Sequence, residues 1–276
     1  MASMFSSYEL PPYSTICLST ATYGGLLWLV SKTTTGTVDS LRFRIKAISA
    51  GHSVLATALT ICALRGHWGL QASDKGKTPS PDNSLSDVAN PLISGTSKIA
   101  NFVTAWEAGY LIYDTIALAI EARGQDRTAS LLKVLQRTCR GSPVMVVHHS
   151  LILSALLYLE TYVAASREKG QKVIMAFFLM NASNPLLHLR WYRRKTTGRS
   201  DLRIDLSLAI TFALTRFGSV WWVMHEYGEY HAMGVWEAFR RQRVPCQAGT
   251  GVLTTMNGLW WLALLAQMVK PKKKGK

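Results

Sequence analysis

The chain has 276 residues, 48% of them drawn from Ala, Val, Ile, Leu, Met, Phe, Trp, Tyr and Cys and only 17% charged, against roughly 25% charged in an ordinary soluble domain. The mean hydropathy of +0.11 hides strong segregation into apolar runs and short basic connectors, a pattern that excludes a soluble helical domain, whose helices need polar outer faces. The formal net charge of +15 would suit a nucleic-acid binder, but here the basic residues flank apolar runs, so membrane lipids with anionic headgroups are the expected partner and nucleic acid is not.

A helix that crosses a bilayer needs about 20 mostly apolar residues. Seven runs qualify: 13–30, 45–64, 99–122, 143–165, 173–189, 204–223 and 250–269. They predict an all-α fold, a polytopic membrane bundle of about seven transmembrane helices. The first run has no basic leader and is longer than a signal-peptide core, so it reads as a retained anchor. The fifth is the shortest and holds Asn181, Asn184 and Pro185; its Asn-Ala-Ser sequon falls inside the run and is not expected to be modified. The long connector 65–98 is rich in Ser, Pro, Asp and Gly and reads as a lumenal loop. Cys17, Cys62, Cys139 and Cys246 are scattered without CxxC spacing, which indicates neither a disulfide framework nor a zinc site.

Lys and Arg set the orientation. The segment before the first run has none, the six connectors carry 4, 4, 5, 3, 6 and 3, and the carboxyl tail carries 5. One side of the membrane therefore holds 20 and the other 10, which puts the amino end in the lumen and the carboxyl end in the cytosol. The expected organisation is an anchor helix with its cytosolic connector (1–39), a helical membrane domain (40–269) and a basic cytosolic tail (270–276). That tail, "KPKKKGK", places Lys273 and Lys274 four and three residues from the end, which resembles a dilysine retrieval signal and implies the endoplasmic reticulum membrane.

Asp114 lies inside the third run, "GYLIYDTIALAI". A carboxylate in hydrocarbon costs about 2.5–3.5 kcal/mol even on the lenient insertion scale and turns toward the bundle interior. At 1.5 Å per residue it sits roughly 12 Å from the cytosolic end of its helix, His148 and His149 roughly 8–9 Å and His52 roughly 10 Å from theirs. Asn181 and Asn184 lie in the same half, and Arg216 and Asn257 nearer the middle. These groups are expected to converge on one polar layer, with Asp114 within reach of His148 or His149. Adjacent histidines point about 100° apart on a helix, so at least one must face inward. Glu107 and Glu160 are expected at the lumenal interface, and the Trp221–Trp222 and Trp260–Trp261 pairs as anchors or packing.

"AGYLIYD" (108–114), "VMVVHHSL" (144–151), "NASNPLLHLRW" (181–191) and "GHS" (51–53), with their order and spacing, resemble the TLC domain, a family of multispanning proteins that includes the ceramide synthases. The resemblance covers residues 40–269. It implies lipid metabolism in the endoplasmic reticulum membrane. One departure bears on the chemistry: where ceramide synthases carry acidic residues after the His-His pair, this chain reads "FFLMNASNPLL", so acylation of a sphingoid base is not carried over.

Two functions follow as expectations. In the first, the chain is an acyltransferase with acyl-CoA as co-substrate and no bound cofactor. Arg190, Arg193 and Arg194 meet the phosphates, and His148 or His149 acts as general base or acyl acceptor. Asp114 orients or charge-balances the imidazole, Asn184 and Arg216 bind the oxyanion or the acceptor, and His52, Asn181 and Asn257 complete the substrate-binding set. In the second, the same cavity binds lipid without chemistry, for regulation or cargo escort. His52, His148 and His149 offer metal ligands but no recognised spacing, so no metal is assigned. An oligomer is compatible with either function.

Overall fold

The computed structural model describes residues 11–32, 38–66, 68–70, 90–124, 128–167 and 169–269. Lys273, Lys274 and most of the connector 65–98 lie outside them. Long helices dominate the described residues: α1 (Pro12–Lys32), α2 (Val38–Arg65), α4 (Lys98–Gly124), α6 (Pro143–Ala164), α9 (Leu202–Tyr230) and α11 (Val244–Val269). A further long pass is built of three pieces, α7 (Gln171–Phe178), a 3-10 stretch (Leu179–Ser183) and α8 (Asn184–Thr197). Shorter helices α3 (Pro91–Ser94), α5 (Leu131–Gly141) and α10 (Val235–Arg241) connect them, and Gly69–Leu70 pairs antiparallel with Gly95–Thr96.

The ends follow local chemistry. Pro12, Pro143 and Pro185 stand in first turns, where the missing N–H costs nothing. Gly198 closes α8 at φ 63°, its N–H donating to Arg194 O at 3.0 Å, a left-handed cap that suits glycine. Asp201 caps α9 by accepting from Arg203 N at 3.0 Å. The seven expected runs all fall within long helical passes, but several reach further: the last begins at Val244 rather than residue 250, and the second at Val38 rather than residue 45. Sequence reading missed α5. Its Leu131, Leu132 and Leu135 are exposed beside Lys133, Arg137 and Arg140, the composition of a helix lying at a membrane surface.

Three helical stretches, Ser40–Arg65, Pro143–Ala164 and Leu202–Tyr230, are long and apolar enough by themselves to cross a membrane. The other passes carry polar groups turned inward. On α4, Thr104, Glu107, Tyr110 and Tyr113 are buried while Ile116 and Ile120 are exposed. Leu29, Val54, Leu151, Leu214 and Leu259 show the same outward apolar surface on the neighbouring helices. This arrangement, with polar and small residues inside and large apolar ones outside, is that of a bundle solvated by lipid.

Helix α4 is the axis, touching α1, α2, α5, α6 and α7. The α1–α4 contact is the closest. Ser19 Oγ donates to Trp106 O at 2.7 Å and Thr20 Oγ1 to Gly109 O at 2.9 Å. A Cβ on Gly109 would collide with Ile16 O and lie 2.6 Å from Ser19 Cβ, so only glycine permits this approach. The second half packs α9 against the 3-10 stretch, α7, α8, α10 and α11. Helix α2 joins the halves by packing on α4 and also on α7, the 3-10 stretch and α8.

Candidate active site

The polar groups expected in one layer form two levels. The first is built on α4 and α6. Asp114 Oδ2 lies 3.3 Å from His149 Nε2, with the imidazole buried and the carboxylate partly so. Ser49 Oγ on α2 approaches Asp114 Oδ1 at 3.5 Å, and Thr115 Oγ1 lies 3.3 Å from His149 Nδ1. Thr115 also donates to Leu111 O at 2.8 Å, one turn back on its own helix. Both imidazole nitrogens of His149 therefore face consecutive residues of α4. His148 points away, as the helix geometry requires; it is half-buried, its ring edge-on to Trp260 with centroids 5.1 Å apart.

Asp114 and His149 stand as the carboxylate and imidazole of a proton relay, at ion-pair distance and without a hydrogen bond between them. Thr115 gives its hydrogen to Leu111 O and can only accept from His149, so with Asp114 ionised and the imidazole hydrogen on Nε2, the Nδ1 lone pair is left for a donor other than Thr115. An imidazole so placed accepts a proton from a hydroxyl or amine at Nδ1, and the resulting imidazolium is stabilised by Asp114.

The second level is a chain of contacts through both halves. Trp106 Nε1 donates to Tyr23 OH at 3.0 Å, and Tyr23 OH lies 2.7 Å from His52 Nδ1. The phenol oxygen thus accepts from the indole and shares a second hydrogen bond with His52, whose tautomer sets that bond's direction. His52 Nε2 is 3.1 Å from Glu107 Oε1, an ion-pair distance at an angle that makes no hydrogen bond, and the ring stacks on Tyr110 with centroids 3.4 Å apart. Asn181 Nδ2 donates to Glu107 Oε1 at 3.3 Å, and Asn184 Nδ2 to Asn181 Oδ1 at 3.1 Å. Arg216 donates to Asn184 Oδ1 at 3.2 Å and to Asn257 Oδ1 at 2.8 Å. His52, Asn181, Asn184, Arg216 and Asn257 are thus joined in one network, the 3-10 stretch supplying Asn181 and the start of α8 supplying Asn184.

Glu107 is where the structure differs most from the sequence reading. It is no interfacial residue: it is buried at the centre of the network. It lies nine residues into α4, roughly 13–14 Å from that helix's start. The signal was in the spacing, since Glu107, Tyr110 and Asp114 fall at i, i+3 and i+7 on one face. Glu160, also expected at the interface, is fully buried, and neither carboxylate oxygen has a hydrogen-bond partner. Tyr23, Ser49 and Thr115 are further contributors that no motif marked.

The arginine trio separates. Arg190 is buried, donating to Asp205 Oδ1 at 2.6 Å and Gln267 Oε1 at 3.1 Å. Arg194 donates to the same two partners, to Asp205 Oδ2 at 3.2 Å and Gln267 Oε1 at 3.3 Å. Both clamp α8 to α9 and α11, while Arg193 is exposed. His52, His148 and His149 do not converge as a ligand set. Among the described residues, His225, Glu226 and Glu229 bring possible metal-ligand atoms within 4.8 Å of one another, on the partly exposed end of α9.

Comparison with curated proteins and with solved structures finds no match. Comparison with protein-family models matches the TLC domain over residues 42–266, the stretch that contains both polar levels apart from Tyr23. The chain therefore belongs to the TLC domain family and is a membrane-embedded protein of a lipid-related family.

Proposed function

We propose that the protein transfers an acyl group from acyl-CoA to a lipid or lipid-like acceptor inside the membrane. The observation that carries this reading is the Asp114–His149 pair, with a hydroxyl facing the second imidazole nitrogen. His149 Nδ1 takes the proton from the acceptor's hydroxyl or amine as its oxygen or nitrogen attacks the thioester carbonyl. The new ester or amide bond forms, the carbon–sulfur bond breaks, and the proton leaves with the CoA thiol. Thr115 marks the position of that acceptor group. Arg216, held by two asparagine oxygens, supplies positive charge near the second level. All seven long passes cross the bilayer in this reading, with the amino end lumenal. Arg193, unclamped on α8, meets the CoA phosphates from the cytosol. Acyl transfer from radiolabelled palmitoyl-CoA by the purified chain in nanodiscs of mixed phospholipids and sphingoid bases tests it. A labelled lipid that His149→Ala abolishes is expected; no labelled lipid from any acceptor rejects the reading.

A second reading is favoured by one observation: every side chain of the His52–Asn257 network has a protein partner, and Thr115 also bonds its own helix. A network tied together by protein groups, with His52 Nε2 and Arg216 Nε left without a hydrogen bond, suits a non-catalytic lipid-binding, regulatory or cargo-escort protein, in which Asp114 and His149 hold α4 to α6. Lys273 and Lys274 return the protein to the endoplasmic reticulum in either case; replacing both with Ser releases it to later compartments, and unchanged distribution removes that assignment.

A further inference from the structure

A groove of about 270 Å³ runs between α2 and α8 on the outside of the bundle. Its walls are Phe43, Ala47 and Ala50 on one side and Pro185, Leu189 and Tyr192 on the other, with Lys46, His188 and Trp191 at the polar positions. We propose that this groove is a phospholipid site, taking one acyl chain along its apolar walls and the lipid phosphate at Lys46.

Three observations choose that occupant. First, the walls are apolar and open sideways, with Phe43, Leu189 and Tyr192 exposed, so the ligand arrives from the bilayer. The volume is below the roughly 300–1,000 Å³ of a pocket that engulfs a drug-sized ligand, which fits part of one chain and not a whole lipid. Second, Lys46 is the one lysine or arginine among the lining side chains. Its ammonium lies 5.1 Å from the Trp191 ring, and Glu121 and Asp114 act on it through space without an ion-pair contact among the described residues. His188 adds an imidazole donor beside it. The neighbouring Arg190 and Arg194 are committed to Asp205 and Gln267, so the groove offers charge for a single phosphate and not for the several phosphates of CoA. Trp191 and Tyr192 suit headgroup level, where aromatic residues gather. Third, the inner end backs onto both polar levels: Ala50 follows Ser49, which approaches Asp114, and Pro185 follows Asn184, which accepts from Arg216.

The site stands apart from any chemistry at His149. The test uses the full chain in phosphatidylcholine nanodiscs doped with phosphatidic acid carrying a diazirine on one acyl chain, or with diacylglycerol carrying the same chains. After illumination, cross-linked peptides are mapped by mass spectrometry. The expected result is labelling concentrated on residues 43–50 and 185–192, stronger for phosphatidic acid than for diacylglycerol by about threefold, the factor for one partly exposed ion pair. Lys46→Gln removes that preference, Ala50→Trp removes the labelling, and excess palmitoyl-CoA displaces neither. Labelling spread evenly over the exposed apolar faces, equal labelling by the two probes, or displacement by palmitoyl-CoA overturns the proposal. His149→Ala, which removes the proposed general base and neither lines the groove nor carries a charge onto Lys46, labels as the unaltered chain does, so failure of acyl transfer and failure of this site are read separately.

Discussion

Two inward-turned acids on facing helices meet opposite fates. Asp114 has an imidazole and a hydroxyl to receive it, whereas Glu160 sits fully buried on α6 with neither oxygen bonded. Its neighbours Leu156 and Leu159 belong to an apolar cluster with Val103, Met175 and Phe178. A buried polar group without a partner costs roughly 1–3 kcal/mol by protein mutational measures, and leucine fills nearly the same space. Glu160→Leu is therefore expected to raise thermal stability by about 1–3 kcal/mol, read as the melting temperature of the purified protein in detergent. A lower melting temperature would mean that the carboxyl has a partner in the folded state. Asp114 was legible in the sequence because one acid in an apolar run demands an explanation, and depth alone directed it to the His-His pair. Glu107 was not, since its distance from the helix start was underestimated and its two partners, His52 and Asn181, come from elements far apart in sequence.

At the scale of elements, the bundle rests on close contacts at small residues. Without a hydrophobic driving force between helices in lipid, backbone approach and interhelical hydrogen bonds do the holding. Gly109 is the tightest such point. Gly109→Ala is expected to destabilise by about 1–3 kcal/mol, the range for overpacking. Gly218→Ala on α9, where a Cβ meets nothing within 4 Å, gains helix propensity and is expected to be neutral or stabilising. Equal melting temperatures for the two variants would contradict the α1–α4 packing. The arginines of α8 divide in the same manner. Arg190→Gln leaves Asp205 buried without its main cation and is expected to lower folded yield, since breaking a buried pair costs about 3–5 kcal/mol. Arg193→Gln is expected to fold normally and raise the KM for acyl-CoA about two- to fivefold, the worth of an exposed charge contact. An Arg190→Gln variant that folds well but loses acyl-CoA affinity would return that residue to the substrate. Periodicity did not reveal the clamp, because Asp205 and Gln267 lie on other helices and a run of basic residues looks alike whether it faces lipid, ligand or protein.

For the whole molecule, hydropathy carried the fold class, because lipid as solvent leaves its mark on every helix. It marked the ends poorly, since helices extend past the apolar run wherever caps and connectors allow, as α2 and α11 do. The two-to-one bias of Lys and Arg predicts that a glycosylation acceptor placed at Ser3 is modified while one added after Lys276 is not. Modification of both, or of neither, would refute the orientation or the odd number of crossings.

The proposed acyl transfer requires that Asp114 and His149 form a catalytic pair and not merely a brace between α4 and α6. The most direct measurement is acyl transfer from palmitoyl-CoA by Asp114→Asn, with the melting temperature of the same preparation. The amide keeps the shape and removes the charge that stabilises an imidazolium. The variant is expected to fold and melt nearly as the unaltered chain does, with turnover reduced by about 10²–10⁴-fold. A variant that melts markedly lower yet transfers acyl groups at the same rate per folded molecule would contradict it, and would leave the pair as a structural tie.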